Sequence, residues 1–260
     1  MTIQEAIAAR HSVRQYLGKP IEASIIERLN EEVALCNQKG GLHIQLVTDE
    51  PKAFSNSTAF TYGKFSGVSN YLAMVGPKGA DEAIGYYGER LVLLAQTLGL
   101  NSCWVGLTFK KQPDQYTVAA GEKLHCVIAL GYGATQGVQH PMRPMEKFIK
   151  VNGVGLVGDG LVGDTMVADG LVGDTMVADG LVGDTMVADQ PDWFRRGMEA
   201  VLLAPTAVNQ QKFEFELLDD RTVAARARFT LIGYGKMDLG IAKYHFEVGA
   251  GKENFRWKED

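Results

Sequence analysis

Apolar residues recur every three or four positions in five stretches of the chain, and this spacing is typical of amphipathic helices. The first stretch opens with Thr2 and Glu5 in a capping-box arrangement, which marks a helix start. Gly40-Gly41 and Gly99 follow two of the other stretches and predict helix ends there. Beyond the helix that starts at Thr2, we predict helices over residues 22–38, 81–98, 192–203 and 237–248.

Short apolar runs and alternating patterns between these stretches predict strands. Residues 125–130 are apolar at nearly every position, which is typical of a central strand that is covered on both faces. The predicted strands cover residues 43–47, 71–75, 125–130, 212–218 and 222–229. Because helices and strands mix without a regular βαβ order, we predict an α+β fold with a mainly antiparallel sheet flanked by helices.

A perfect repeat interrupts this pattern late in the chain. The decapeptide GLVGDTMVAD fills 160–169, 170–179 and 180–189, and its underlying period of five matches neither a helix nor a strand. A short β-solenoid or a calcium-binding repeat would place aspartates at a fixed interval. We favour a tandem expansion in a surface linker, because insertions in surface loops cost little free energy. The predicted organisation is one half over 1–150, an insert over 151–190 and a second half over 191–260.

The charge and the cysteine content of the chain argue against several classes of protein. The net charge is −5, but the repeat contains Asp and no Lys or Arg, so the rest of the chain is not acidic. Nothing in the sequence favours nucleic acid or a membrane as a partner. Cys36, Cys103 and Cys126 lack metal or disulfide spacing, and the N-terminus lacks a signal-peptide pattern. We therefore expect a reduced, cytoplasmic compartment, and we interpret Cys103 as an inert buried thiol rather than a reactive one.

The densest polar cluster follows the first predicted helix. Arg10, Ser12 and Arg14 alternate with His11 and Val13, so in an extended segment they would share one face. Two guanidinium groups beside a hydroxyl suit a dianionic phosphate. A solvated basic loop is the alternative interpretation of this cluster.

A second cluster, Ala-Pro-Thr-Ala-Val-Asn-Gln-Gln, covers residues 204–211 between a predicted helix and a predicted strand. We call it the 204–211 corner. Its hydroxyl, amides and backbone could hydrogen-bond a planar heterocycle, although an ordinary polar turn has the same composition. The sequence contains no phosphate-binding loop, zinc-protease or serine-hydrolase motif. If the chain is an enzyme, a cofactor is therefore expected to carry the chemistry.

Both clusters resemble motifs of the FMN-dependent nitroreductase family. The sequence RHSVRQY at 10–16 is similar to the family's R-x-S-x-[RK]-x-[FY] motif, and the 204–211 corner is similar to A-P-[ST]-x-x-N-x-Q. Residues 98–106 resemble the helix end and loop that pass over the flavin, and 127–133 and 143–146 resemble two further family segments. The resemblance covers nearly all of the chain outside the insert.

The order of these motifs differs from that of common family members. In those, the corner follows the first motif closely, and two chains share each flavin site. Here the corner comes only after the repeat, and no second R-x-S-x-R motif accompanies it. The chain thus resembles the subgroup in which one polypeptide mimics a dimer. This resemblance implies two interlocked halves, one complete flavin site between them, and a monomer with an internal pseudo-dimer.

The resemblance also implies which residues bind FMN, and it implies no catalytic side chain or metal, because flavin N5 carries the chemistry. The phosphate and ribityl chain are assigned to Arg10, Ser12, Arg14 and Arg143, with His11 beside them. The isoalloxazine ring is assigned to Lys64, Val105, Gly106, Pro205, Thr206, Ala207 and Asn209. Val105 stands where the family often has an acidic residue.

The function implied by the resemblance is that of an FMN-dependent oxidoreductase. NAD(P)H would reduce FMN and leave, and a small electron acceptor such as a nitroaromatic or a quinone would then be reduced, in a ping-pong sequence. Two alternatives remain. One is a flavin- or nucleotide-binding protein without turnover. The other is a relic of the fold that binds a partner through its acidic repeat.

Overall fold

The five α-helices in the described part of the chain lie close to where the apolar spacing predicts them. The computed structural model describes residues 1–54, 64–151, 154–157, 160–163 and 190–259. The helices are α1 (Ile3–Ala9), α2 (Ala23–Gly40), α3 (Asp81–Thr97), α4 (Asp192–Leu202) and α5 (Gly235–Ala250). None of the helices in the described residues is long and apolar enough to cross a membrane.

The predicted helix ends are set by local chemistry. The Thr2 hydroxyl accepts a hydrogen bond from the Glu5 amide at 3.2 Å, and the Glu5 carboxylate accepts one from the Thr2 amide at 2.8 Å. This reciprocal capping box satisfies two amides that the first turn of a helix leaves unpaired. At the C-terminus of the next helix, α2, Gly41 has a φ of 59°. This left-handed conformation favours glycine and ends the helix.

The first sheet comes from residues before the repeat. Its strands are β1 (Gln45–Val47), β2 (Asn70–Pro77), β3 (Asn101–Val105) and β4 (Glu122–Gly131). They lie in the order β1-β2-β4-β3, and every neighbouring pair is antiparallel. The predicted central strand at 125–130 is therefore confirmed, because β4 pairs with β2 on one side and with β3 on the other.

Strand β3 corrects one prediction. Residues 98–106 were expected to form a helix end followed by a loop, but 101–105 pair with β4 from Asn101↔Gly131 to Val105↔Val127. Both faces of this strand are covered, and Asn101, Ser102 and Cys103 are all buried. A strand covered on both faces has no polar–apolar alternation to reveal it.

The second sheet combines residues from both sides of the repeat. Its strands are β5 (Ile149–Val151), β6 (Val154–Val157), β7 (Gly160–Gly163), β8 (Phe213–Leu217), β9 (Thr222–Ala227) and β10 (Arg256–Trp257). They lie in the order β10-β9-β8-β5-β6-β7, with parallel pairs at β10–β9 and β5–β8. The first repeat units thus enter strands β6 and β7. Residues 164–189 lie outside the described residues, so the linker remains a prediction for them.

Each sheet packs its own hydrophobic core against helices, which confirms the α+β class. Beneath the first sheet, the largest cluster joins side chains of α2 and α3, such as Leu29 and Leu91, to Leu72 and Ile128 of the strands. The second sheet covers an aromatic cluster with α4 and α5. Its fully buried aromatic side chains are Phe194, Phe213, Phe215 and Phe246.

Helices α3 and α5 join the two halves through a close crossing. Gly240 of α5 meets the backbone of α3 so closely that a Cβ there would lie 2.0 Å from the Glu82 carbonyl oxygen. From the other helix, a Cβ at Gly85 would lie 2.0 Å from the Met237 carbonyl oxygen. Only glycine allows this approach, so the crossing fixes α5 tightly against the first half.

Candidate functional site

A cavity of about 300 Å³ lies where the two halves meet. Its walls come from Ser12 and Arg14, from the end of β3 with residues 106–108, from the 204–211 corner and from the first turns of α5. Seven of the predicted cofactor-binding residues line it, namely Ser12, Arg14, Val105, Gly106, Pro205, Thr206 and Ala207. Motifs far apart in the sequence therefore meet in one cavity.

The segment after α1 places Ser12 and Arg14 in the cavity wall. Ser12 pairs with Ser102 of β3 in a parallel bridge, and the Val13 amide donates to the Ser102 carbonyl oxygen at 3.0 Å. Val13 is buried in the core, so its two neighbours turn the other way, as the alternation predicts for an extended segment. A cation and a hydroxyl thus share one wall.

Arg10 does not line the cavity. Its amide caps α1 by donating to the Ala6 carbonyl oxygen, so the residue ends a helix instead of continuing the extended segment. Its side chain is buried, and Nε lies 3.6 Å from a carboxylate oxygen of Glu89 in α3. Nε and Nη1 donate no hydrogen bond to any described residue, so the guanidinium keeps donors that Glu89 does not use.

Glu89 is the centre of a buried polar cluster behind the cavity. Its carboxylate accepts hydrogen bonds from Trp104 Nε1 and His245 Nε2, both at 2.9 Å. His245 Nδ1 also lies 2.9 Å from the Ala200 carbonyl oxygen, so both ring nitrogens are in hydrogen-bond contact. Burial raises the pKa of Glu89, but the bonds and charges of His245 and Arg10 outweigh it and hold that pKa below its ordinary value.

The 204–211 corner is held in place by α5. The Asp238 carboxylate accepts hydrogen bonds from the Ala207 amide at 3.0 Å and from Gln210 Nε2 at 2.6 Å. The Gln211 amide donates to the Thr206 hydroxyl at 3.1 Å. Val208 has a φ of 46°, so the chain turns through left-handed geometry at the corner's tip. These bonds fix a short turn that faces the cavity.

Asp238 itself lines the cavity and is 2% exposed. Burial raises the pKa of this carboxyl to about 6, although the hydrogen bonds from Gln210 and Ala207 act in the opposite direction. The sequence prediction missed Asp238. A carboxylate on the apolar face of the predicted 237–248 helix was a signal that could have identified it.

Strand β3 ends at Val105, and Val105 and Gly106 both line the cavity. Gly106 follows β3, and a Cβ there would lie 2.6 Å from the Tyr234 hydroxyl, so a side chain would have to displace that ring. Trp104 and Tyr234, which the prediction also missed, line the cavity around this point. Apolar and aromatic side chains therefore make up much of the cavity wall.

Four predicted site residues lie outside the cavity lining, as does Arg10. His11 is half-buried, and Lys64 is exposed directly before Phe65, which does line the cavity. Arg143 is exposed. Asn209 donates from Nδ2 to the Pro141 carbonyl oxygen at 3.0 Å. A cofactor role for these residues stays a prediction.

Cys103 fits the interpretation as an inert buried thiol. Cys36, Cys103 and Cys126 are all free and buried. Burial raises the pKa of Cys103, against the lowering effect of the charges on Arg14 and Arg10 and of a hydrogen bond with Ser12. A thiol with a raised pKa forms less of the reactive thiolate. Within the described ranges, no cluster of His, Cys, Asp and Glu side chains could hold a metal ion.

Comparison with solved structures shows the fold. A protein from Thermotoga maritima, described as a "putative nitroreductase", aligns over 97% of this chain and 85% of its own length, with a TM-score of 0.57 and 19% identity. A nitroreductase from Bacteroides fragilis with bound FMN aligns over 55% of this chain and 94% of its own, with a TM-score of 0.42 and 23% identity. A search of curated proteins found no match.

Comparison with family models gives the family. The model described as "Putative TM nitroreductase" matches residues 2–156 and 182–250. These two segments contain both clusters and every residue of the cavity wall. The chain therefore belongs to this nitroreductase family.

Proposed function

We propose that this protein is an FMN-dependent NAD(P)H oxidoreductase that reduces nitroaromatic or quinone-like acceptors in a ping-pong sequence. The observation that carries the proposal is the cavity between the halves, which joins a cation and a hydroxyl to an apolar, aromatic wall. Membership of a nitroreductase family supports the same chemistry. Cavities of this size and composition are typical of sites for small molecules and cofactors.

The donor set fits FMN, which combines a planar apolar ring with an anionic phosphate. Arg14 and Ser12 offer the charge and the hydrogen bonds that suit a phosphate. Trp104, Pro205 and Ile241 supply flat or apolar surface that suits a ring. Bound FMN would supply the two-electron transfer, which these side chains do not provide.

The residues of the chain would bind, orient and exclude water. The backbone at Val105 and Gly106 would lie against the ring, and the 204–211 corner would pack on it from the other half. Leu107, Val208 and Ile232 line the cavity and are also exposed, so its open side is apolar. An apolar entrance suits aromatic acceptors better than charged or sugar-like ones.

The test begins with binding. FMN and riboflavin are titrated separately into the flavin-free chain, and quenching of flavin fluorescence gives each Kd and the stoichiometry. We expect about one flavin per chain. Arg14→Ala should weaken FMN binding roughly 10- to 100-fold, the range expected for loss of a charge-assisted hydrogen bond, and should leave riboflavin binding nearly unchanged. Arg28→Ala is the matched control, because Arg28 is an exposed arginine paired with Glu31 on α2.

Turnover is tested on the FMN-loaded chain under anaerobic conditions. NADH or NADPH should bleach the flavin absorption, and a quinone or a nitroaromatic should restore it. Flavin binding without bleaching would favour a flavin-binding protein without turnover. Failure of both FMN and riboflavin to bind would refute the proposal.

A further inference from the structure

The start of α5 holds an ionisable group that the chemistry above does not use. Asp238 lies in the cavity wall at 2% exposure, and its neighbours there are the apolar side chains of Met237 and Ile241. A carboxylate in such surroundings loses hydration that only hydrogen bonds or a cation can replace.

Within the described residues, the Asp238 carboxylate accepts hydrogen bonds only from the 204–211 corner. Oδ1 accepts from the Ala207 amide at 3.0 Å, and Oδ2 accepts from Gln210 Nε2 at 2.6 Å. Gln210 is oriented for this bond, because its Nε2 also donates to the Gly233 carbonyl oxygen at 3.1 Å and its Oε1 accepts from the Thr230 hydroxyl. Asp238 therefore fixes a corner that belongs to the proposed ring-binding wall.

The titratable side chains near Asp238 do not pair with its carboxylate. Arg14, Cys126 and Tyr234 line the same cavity, and none of them forms a hydrogen bond or an ion pair with Asp238 in the described residues. On α3, Glu82 pairs with Lys243. On the far side of the corner, His140 Nδ1 lies 3.4 Å from Gln211 Nε2. The negative charge of Asp238 thus has no cationic partner among these groups.

A ligand that fills the cavity removes the remaining water from this carboxyl. The neutral form then becomes the favoured one, since desolvation penalises only the charged form. Each carboxyl oxygen already accepts one bond from the corner, so an added proton can be donated into the cavity. A ring nitrogen or a carbonyl oxygen of the ligand could accept it.

We propose that Asp238 is a positioning residue that holds the 204–211 corner and takes up one proton when a flavin fills the cavity. The inference rests on the proposed function, because it takes the flavin as the occupant. In the balanced step, solvent supplies the proton, the Asp238 carboxylate becomes a carboxylic acid, and no electron moves. Flavin binding is consequently linked to pH at neutral values.

Riboflavin is the appropriate probe, because it lacks the phosphate that would itself titrate near neutral pH. Calorimetric titrations of the flavin-free chain at pH 7, in phosphate, HEPES and Tris, give the protons taken up from the dependence of the binding enthalpy on the buffer. We expect an uptake approaching one proton per bound riboflavin. Asp238→Asn should bind riboflavin without uptake, whereas the control His140→Gln should retain it.

A second measurement needs no variant. The Kd of riboflavin for the unaltered chain is measured from pH 6 to pH 9, and it should rise by up to roughly tenfold per pH unit where the free chain is ionised and the complex is protonated. A constant Kd, or an uptake that Asp238→Asn retains, would overturn the inference while leaving the proposed function intact. If no flavin binds, the proposed function fails, and this inference fails with it.

Discussion

The glycine crossing of α3 and α5 makes a quantitative prediction about stability. In Gly240→Ala, the new Cβ would lie 2.0 Å from the Glu82 carbonyl oxygen and 2.8 Å from the Tyr86 amide nitrogen. A non-bonded carbon and a carbonyl oxygen approach to about 3.3 Å at closest, so the helices must separate by roughly 1 Å. Neither contact atom belongs to a side chain that could rotate away.

Two opposing effects set the change in unfolding free energy of Gly240→Ala. Overpacking of a rigid contact costs about 3 kcal/mol, and the better helix propensity of alanine returns about 1 kcal/mol. The expected net loss is about 2 kcal/mol of unfolding free energy, which lowers the melting temperature by roughly 4–8 °C in a chain of this size. The variant should also bind flavin more weakly, because Met237 and Ile241 flank this position and line the cavity.

Thermal unfolding followed by far-ultraviolet circular dichroism measures the effect. Gly235→Ala is the matched control, since it makes the same change in the same helix. There the nearest atom to a new Cβ is a Thr230 methyl carbon at 3.2 Å, which can move. If Gly240→Ala melts at the same temperature as Gly235→Ala, the close crossing is wrong.

Three further predictions address the site and the cluster behind it. Because the pKa of Asp238 is raised to about 6 from an ordinary 3.8, its ionised form costs about 3 kcal/mol of folding free energy well above pH 6, and about 2 kcal/mol of this cost is removed as the pH falls from 7 to 4. Urea unfolding of the flavin-free chain should therefore show it gaining about that much relative to Asp238→Asn between pH 7 and pH 4, and parallel curves would contradict this. Glu89→Ala should lose about 3–5 kcal/mol at pH 7 in the same assay, because it leaves the buried Arg10 guanidinium without its carboxylate, and a loss below 1 kcal/mol would contradict the cluster. Gly106→Ala should displace the Tyr234 ring and weaken riboflavin binding, with little change in melting temperature because that side chain can move; unchanged binding would place the ligand elsewhere.

Much of the fold could be predicted because its signals are local. The capping box at Thr2 and Glu5, the left-handed glycine at Gly41 and the continuous apolar run of β4 each depend on residues close together in the sequence. Strand β3 could not be predicted in this way, because its pairing with β4 and the cover on both its faces come from distant parts of the chain. The parallel pairing of β5 with β8 across the repeat is non-local for the same reason.

The residues of the candidate site also differ in whether nearby sequence could predict them. Ser12 and Arg14 were predictable because Val13 between them points into the core and fixes the alternation. The prediction for Arg10 required that the extended segment begin at or before this residue. Instead, Arg10 caps the end of α1, and its side chain lies next to Glu89. Asp238 belongs to none of the motifs on which the prediction depended, and its contact with the 204–211 corner exists only in the folded chain.

The two ends of the repeat are anchored in one place, and this has an evolutionary consequence. Phe148 and Ile149 before it and Phe194 and Met198 after it all belong to the aromatic core of the second sheet. The free energy of closing a flexible loop between fixed ends grows only with the logarithm of its length, so in the predicted linker one more decapeptide would cost a few tenths of a kcal/mol. If residues 164–189 form the predicted surface linker, the gain or loss of whole decapeptides should therefore change stability little, and we expect the number of copies to vary more freely than the residues of the cavity.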